Sequence, residues 1–172
     1  MKISLLIVFA LMSVATHVYA FNYAWWVTYQ KEPESKQFQN IGAEDLNPEF
    51  DKILVFSCEQ PSSFLKEQCD EIERNNLRLV AEGDFNSDGV IEIWRTGVAK
   101  SKQGKYFKML FATTKSGALL HSIGVEYDKP GFSVFMVRDN SLSWAMCMEC
   151  GDLASVVWEK DSFVLDWGED YD

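Results

Sequence analysis

The chain has 172 residues, of which 47% are hydrophobic and 24% charged, and its formal net charge is −10. This length suits one domain with a real core, and the apolar fraction is too high for a disordered chain. Acidic residues outnumber basic ones by 26 to 16. This excess argues against a nucleic-acid-binding protein, because affinity for phosphates comes from clustered Lys and Arg.

Residues 1–20 have the pattern of a secretory signal peptide. Lys2 supplies the positive charge, residues 3–15 form an apolar stretch, and Val-Tyr-Ala at 18–20 matches a cleavage signal. The apolar stretch is shorter than the roughly 18–20 residues that a membrane span needs, so we expect no membrane anchor. The sequence therefore predicts an exported protein, periplasmic or secreted, whose mature part, residues 21–172, is a single domain.

Export determines how the four cysteines are interpreted. An oxidising compartment favours two disulfide bonds, for which three connectivities are possible. Because each pair is local, we expect the bonds Cys58–Cys69 and Cys147–Cys150. For the Cys-x-x-Cys motif at 147–150, half of a zinc site or a redox site are the alternatives. A Gly-Asp pair follows the motif, which indicates a turn between strands rather than the helix start typical of redox motifs.

The first part of the mature chain predicts little regular structure. Residues 21–29 are rich in strand-forming side chains and predict a first strand. Neighbouring side chains on a strand point to opposite faces, so one of Trp25 and Trp26 is a candidate for an exposed contact with a glycan or for cover by the loop at 31–50. Residues 31–50 predict a loop with a helical turn near 43–46, and a short apolar run follows at 53–57.

One helix is predicted, at residues 62–75. Either Ser62 or Ser63 can cap its first turn, and apolar side chains recur at helical spacing on one face. Cys69 lies on that face, so a bond to Cys58 would hold the helix against the preceding strand.

From residue 77 onward, short strand-like runs alternate with turn residues. Loops this short connect antiparallel strands, because parallel strands need a long crossover. The fold class is therefore predicted as α+β, mostly β: an antiparallel meander, curled or barrel-like, with one packed helix. The alternation at 106–111 predicts one packed face and one wetter face. The predicted strands cover residues 77–82, 90–99, 106–114, 119–126, 132–138, 142–147, 154–159 and 163–167.

The segment at 83–92 runs Gly-Asp-Phe-Asn-Ser-Asp-Gly-Val-Ile-Glu. It places oxygen-bearing side chains at alternate positions of a tight loop, where a cation can gather them. Calcium suits such a loop, because it accepts irregular coordination by many oxygens, whereas magnesium wants fewer protein ligands and tighter geometry. The alternative is a simple hairpin turn. The candidate calcium ligands are Asp84, Asn86, Asp88, the carbonyl of Val90 and Glu92.

These ten or so residues resemble the calcium-binding loops of integrin-type FG-GAP and VCBS repeats, whose signature is Asp-Phe-Asn-Gly-Asp-Gly-x-x-Asp. In this chain Ser87 replaces the usual Gly and Glu92 replaces the last Asp. The EF-hand fits less well, because Arg95 stands where that family has its closing Glu. The resemblance implies a calcium-binding loop that joins two strands.

Catalytic residues are not apparent. His121 is the only histidine of the predicted mature part, which excludes a two-histidine zinc site, and its strand-like setting indicates a histidine in the core or on a sheet face. The sequence therefore favours a non-enzymatic exported module, braced by calcium, that binds another protein or a glycan. A more specific form is a bacterial periplasmic inhibitor or immunity protein that blocks a basic cell-wall enzyme. The alternative is a small cell-envelope hydrolase that uses a metal with Asp84 or Glu92.

Overall fold

The computed structural model describes residues 25–148 and 150–168. The predicted signal peptide, residues 1–20, lies outside them. Within the described part, no helix is long and apolar enough to cross a membrane.

Short helices and many strands make up the described residues. The helices are α1 (Trp25–Thr28), α2 (Ala43–Leu46) and α3 (Lys66–Arg74). The strands are β1 (Gln37–Phe38), β2 (Ile41–Gly42), β3 (Phe50–Val55), β4 (Val80–Gly83), β5 (Glu92–Ser101), β6 (Tyr106–Thr113), β7 (Leu119–Tyr127), β8 (Val134–Arg138), β9 (Ser141–Cys147), β10 (Asp152–Glu159) and β11 (Ser162–Asp166).

The strands form antiparallel sheets. Strands β3, β5, β6 and β7 lie side by side in a large sheet, in which β4 also pairs with β5. Strands β8 to β11 form a four-stranded meander, and β1 pairs with β2. The predicted fold class, α+β and mostly β, is confirmed, and these sheets do not close into a barrel.

The large sheet and the four-stranded sheet pack face to face. Trp94 and Leu110 of the large sheet and Phe135 and Trp144 of the meander belong to one buried cluster. A backbone hydrogen-bond pair between Arg78, just before β4, and Phe135 of β8 also connects the two sheets. Burial of these large apolar side chains supplies the main driving force for packing the sheets.

Both faces of the large sheet are covered, which corrects the prediction for residues 106–111. Phe107, Met109 and Phe111 pack under the segment that carries β2 and α2, while Leu110 faces the meander. Every residue from 107 to 113 is consequently buried. Strict alternation predicts a wet face only where a sheet has a single packed side.

The predicted strand at 21–29 is wrong over Trp25–Thr28, which form the helical turn α1. Trp25 and Trp26 do not lie on opposite faces of a strand: both are half-buried against a third apolar cluster, which includes Phe64 and Phe132. The indole N–H of Trp25 donates to Glu71 Oε2 on α3 at 2.9 Å. Packing against α3 and this cluster decides the local conformation here over strand propensity.

The predicted helix is confirmed, but it begins at Lys66 rather than at residue 62. The two serines predicted as caps serve the preceding loop instead: Ser62 Oγ accepts from the backbone N–H of Phe64, and Ser63 Oγ donates to the carbonyl of Val55. Leu65 precedes the helix, and its N–H donates to the side chain of Gln68. Serine hydroxyls stabilise turns as readily as helix starts, so the pattern alone did not separate the two roles.

A buried polar contact connects the two facing sheets. The indole N–H of Trp144 donates to Thr96 Oγ1 at 3.0 Å, and Ser133 Oγ lies 2.6 Å from the same hydroxyl. Thr96 in turn donates to the carbonyl of Met109 at 3.2 Å. Thr96, Ser133 and Trp144 are all fully buried. A buried polar group is costly when it loses its partner, so this network specifies how the sheets align.

We predict that Thr96→Val lowers the free energy of unfolding by about 1–3 kcal/mol, because valine keeps the shape but leaves the buried Trp144 N–H and Ser133 hydroxyl without this partner. Thr28→Val, at an exposed position, is the control and should change stability by less than about 0.5 kcal/mol. Urea unfolding of both variants is the measurement. Equal stability of Thr96→Val and the unchanged protein would contradict this account of the network.

Candidate metal centre

The loop of interest connects two paired strands. Strand β4 ends at Gly83 and β5 begins at Glu92, and these two residues face each other in the antiparallel ladder. The loop in between adopts positive φ values at Ser87 (60°) and Gly89 (85°), which let the chain turn sharply. This is the strand-loop-strand setting that the resemblance to FG-GAP and VCBS loops implied.

Backbone N–H groups hold the two aspartates of the loop. The carboxylate of Asp84 accepts from the N–H groups of Asp88 and Gly89 at 3.0 and 2.9 Å. Asp88 Oδ1 accepts from the N–H of Val90 at 2.7 Å. A carboxylate oxygen has two lone pairs, so an oxygen that accepts one N–H can still bind a cation. These bonds therefore orient the carboxylates without using up their capacity.

The remaining predicted ligands differ in their exposure and in the hydrogen bonds that they make. The side chain of Asn86 donates to Asp88 Oδ2 at 2.8 Å and accepts from the N–H of Asp88 at 3.1 Å. Val90 is exposed and meets the cluster through its N–H. Glu92 is 1% exposed, and its Oε2 accepts from the N–H of Phe85 at 2.9 Å.

Three of the five predicted residues come together as carboxylates. An oxygen from each of Asp84, Asp88 and Glu92 lies within 4.8 Å of the other two. Two oxygens bound to one calcium ion at about 2.3–2.6 Å can be at most about 5 Å apart, so this spacing is compatible with a shared cation. Among the described residues, no Lys, Arg or His forms a salt bridge with any of the three.

The charge of Glu92 is unfavourable in this structure. Burial raises the pKa of Glu92, and the neighbouring charges of Asp88 and Asp84 raise it further, while the hydrogen bond from Phe85 opposes the shift. A bound cation would offset both the desolvation and the repulsion. The three carboxylates are thus an electrostatic environment that favours a divalent ion.

Two further residues complete the surroundings: Asn140, which the sequence did not single out, and Phe85 of the loop signature. Asn140, in the β8–β9 turn, donates its Nδ2–H to the carbonyl of Asp84 at 3.0 Å. The ring of Phe85 packs against the inter-sheet core, and a Cβ added to Gly83 would lie 2.7 Å from this ring. Asn140 is 56 residues away from Asp84, so no local pattern pointed to it.

His121 lies half-buried on a face of the large sheet, one of the two positions predicted for it. Its ring makes edge contacts with Trp158 and Phe163, at centroid distances of 5.4 and 4.9 Å. Burial lowers the pKa of His121, and the charge of Asp88 opposes that shift. At neutral pH the ring is therefore an uncharged packing element beside the loop.

Both predicted disulfide bonds are present. Cys58 bonds to Cys69 and Cys147 bonds to Cys150. The first bond holds α3 to the chain that follows β3, as expected. Two disulfides are consistent with an oxidising compartment.

Comparisons with protein-family models, curated proteins and solved structures found no match to this chain.

The raised pKa of Glu92 has a consequence for stability. The folded state binds the proton more tightly than the unfolded chain, so deprotonation of Glu92 destabilises the fold as pH rises above the ordinary glutamate value of 4.5. We predict that Glu92→Gln becomes increasingly stable relative to the unchanged protein as pH rises above this value. Thermal melts in EDTA at a series of pH values are the measurement. Glu82→Gln, at an exposed position on β4, should show no such trend. A pH-independent difference for Glu92→Gln would contradict the prediction.

Proposed function

We propose that this protein is an exported binding module whose loop at 84–91 is braced by calcium and takes no part in catalysis. The observation that carries the proposal is the convergence of the Asp84, Asp88 and Glu92 carboxylates, with no cationic side chain of the described residues paired to them. Calcium would compensate three negative charges that the fold holds together, one of them buried. Millimolar affinity is typical of extracellular calcium modules and would suffice outside the cell.

A calcium ion in this loop would also strengthen the connection between the two sheets. Asp84 lies at the end of β4 and receives a hydrogen bond from Asn140 in the meander. An ion held by Asp84, Asp88 and Glu92 would therefore stiffen the edge where the loop meets the β8–β9 turn. Such an edge can serve as a rigid contact surface, because loops that a scaffold holds in place commonly carry binding function.

The partner that we propose is a basic protein, specifically a basic cell-wall hydrolase of the envelope. The support is the net charge of −10 together with the two disulfides, which suit an oxidising environment. Electrostatic complementarity would accelerate association and make it sensitive to salt.

Calcium binding predicts a change in thermal stability. An ion that binds only the folded state at 100 times its dissociation constant adds about 2.7 kcal/mol, which corresponds to a rise in Tm on the order of 5–10 °C for a protein of this size. We expect this rise when millimolar calcium replaces EDTA, and a much smaller one with magnesium. Asp88→Asn should abolish it.

Asp139→Asn is the matched control, because Asp139, like Asp88, is an exposed aspartate between two paired strands but lies outside the cluster. It should retain the full calcium response. If the Tm of the unchanged protein is the same in calcium as in EDTA, the loop is an ordinary hairpin turn and the calcium proposal fails.

The partner proposal predicts inhibition of a basic cell-wall hydrolase. Lysozyme turnover on peptidoglycan serves as the probe, and we expect stoichiometric inhibition that weakens as salt is raised. Cytochrome c, a basic protein without cell-wall activity, should not compete for the site. Turnover of peptidoglycan by the protein alone would instead favour the hydrolase alternative.

A further inference from the structure

A second cluster of reactive groups lies at the turn between β9 and β10, apart from the calcium loop. The sulfurs of Cys147 and Cys150 and a carboxylate oxygen of Asp152 all lie within 4.8 Å of one another. Cys150 is exposed and Cys147 is half-buried. The cluster thus presents one accessible sulfur with a second sulfur and a proton acceptor behind it.

The Cys147–Cys150 bond adds little to the connectivity of the fold. Strands β9 and β10 already pair by backbone hydrogen bonds, and Cys147 faces Asp152 in that ladder. The bond spans a sequence separation of only 3, so the loop it closes constrains the unfolded chain little. In contrast, Cys58–Cys69 spans 11 residues and joins α3 to the chain after β3. A bond that the fold does not need for its shape can open without unfolding it.

Asp152 is held where it can exchange a proton with the sulfurs. The hydroxyl of Tyr127 donates to Asp152 Oδ2 at 2.6 Å, which orients the carboxylate toward the turn. At Cys58–Cys69, no histidine or carboxylate among the described residues lies within 4.8 Å of both sulfurs. Among the described residues, the Cys147–Cys150 bond alone therefore has a carboxylate or histidine base beside both sulfurs, and such a base helps a thiol to become a nucleophile.

A buried lysine supports the same turn from below. Lys108 is 6% exposed, and its Nζ lies 4.3 Å from the centroid of the Tyr127 ring. Its ammonium donates to the carbonyls of Phe132 and Met146. Met146 directly precedes Cys147, so the lysine fixes the backbone that carries the inner sulfur.

We propose that Cys147 and Cys150 form a thiol–disulfide exchange site that acts on disulfides and dithiols of other exported proteins. In the reduced protein, Cys150 loses its proton to water, and its thiolate attacks one sulfur of the partner disulfide. The partner S–S bond breaks, and the leaving sulfur takes a proton from water. Cys147 then gives its proton to Asp152 and attacks the sulfur of Cys150 in the mixed disulfide, and the second partner sulfur leaves and takes that proton from Asp152. Two electrons pass to the partner, and a partner dithiol drives the same steps in reverse.

The first experiment uses the unchanged protein, in which Cys58–Cys69 is an internal control. The oxidised protein is equilibrated with graded dithiothreitol, quenched in acid, alkylated, and mapped by mass spectrometry. We expect Cys147–Cys150 to open at a concentration at least tenfold below that which opens Cys58–Cys69, with the circular dichroism of the folded state retained. Simultaneous opening of both bonds, or earlier opening of Cys58–Cys69, would overturn the proposal.

The second experiment tests the chemistry with oxidised glutathione as the probe. Cys147→Ser should accumulate a glutathione adduct on Cys150, whereas Cys150→Ser should form far less adduct on the half-buried Cys147. Asp152→Asn should slow the oxidation of the reduced protein about tenfold or more, since it removes the proton acceptor. Asp161→Asn, at an exposed turn position, should leave the rate unchanged. An unchanged rate in a folded Asp152→Asn variant would refute the role of Asp152 and with it the proposed site.

Zinc alone separates exchange from metal binding. The exchange proposal is wrong, and the cluster is a metal site, if two results occur together. Zinc protects both thiols of the reduced protein from alkylation, and the reduced protein reacts with oxidised glutathione as slowly as an unfolded cysteine peptide does. Rapid exchange with glutathione in the absence of any metal supports it. This outcome does not depend on calcium, so it is distinguishable from the fate of the function proposed above.

Discussion

Between the two large sheets, the indole N–H of Trp144 donates to the hydroxyl of Thr96, and both groups are completely buried. The surrounding interface is apolar and rich in aromatic rings, which pack strongly but specify position poorly. A buried hydrogen bond restricts which alignments of the sheets are acceptable, because a shifted alignment would leave the donor without an acceptor. The relative position of the two sheets therefore depends on this contact more than on any single apolar pair.

Both candidate sites, the loop at 84–91 and the turn that carries Cys147 and Cys150, depend on that alignment. In the loop at 84–91, Asp84 follows the edge strand β4 of the large sheet, and its carbonyl accepts from Asn140 in the meander. At the disulfide turn, Asp152 belongs to the meander, and its carboxylate accepts from Tyr127 on β7 of the large sheet. Each site is thus completed by a residue from the opposite sheet. A change that weakens the packing of the sheets should disturb both sites at once.

Two charged side chains are buried in the described part of this structure. Glu92 and Lys108 are both buried, and the groups around them differ. Lys108 has carbonyl acceptors and an aromatic ring around it, whereas Glu92 has one backbone donor and two aspartates close by. Buried charges are costly unless they are compensated, so positions like these mark functional candidates. Glu92 is one of the three carboxylates of the calcium proposal, and Lys108 holds the backbone beside Cys147 in the thiol-exchange proposal.

Much of this organisation follows from the sequence alone. Turn residues between short apolar runs indicated the antiparallel strands, local spacing indicated both disulfides, and alternate oxygen side chains at 84–88 indicated the loop. These features are local, because turns, hairpins and short disulfide loops depend on residues near one another in the chain. The second packed face of β6, the helical turn at Trp25–Thr28 and the partners Asn140 and Tyr127 were decided only by the tertiary structure. They depend on which segments cover which faces, and burial against residues far away in the chain overrides local propensity and alternation.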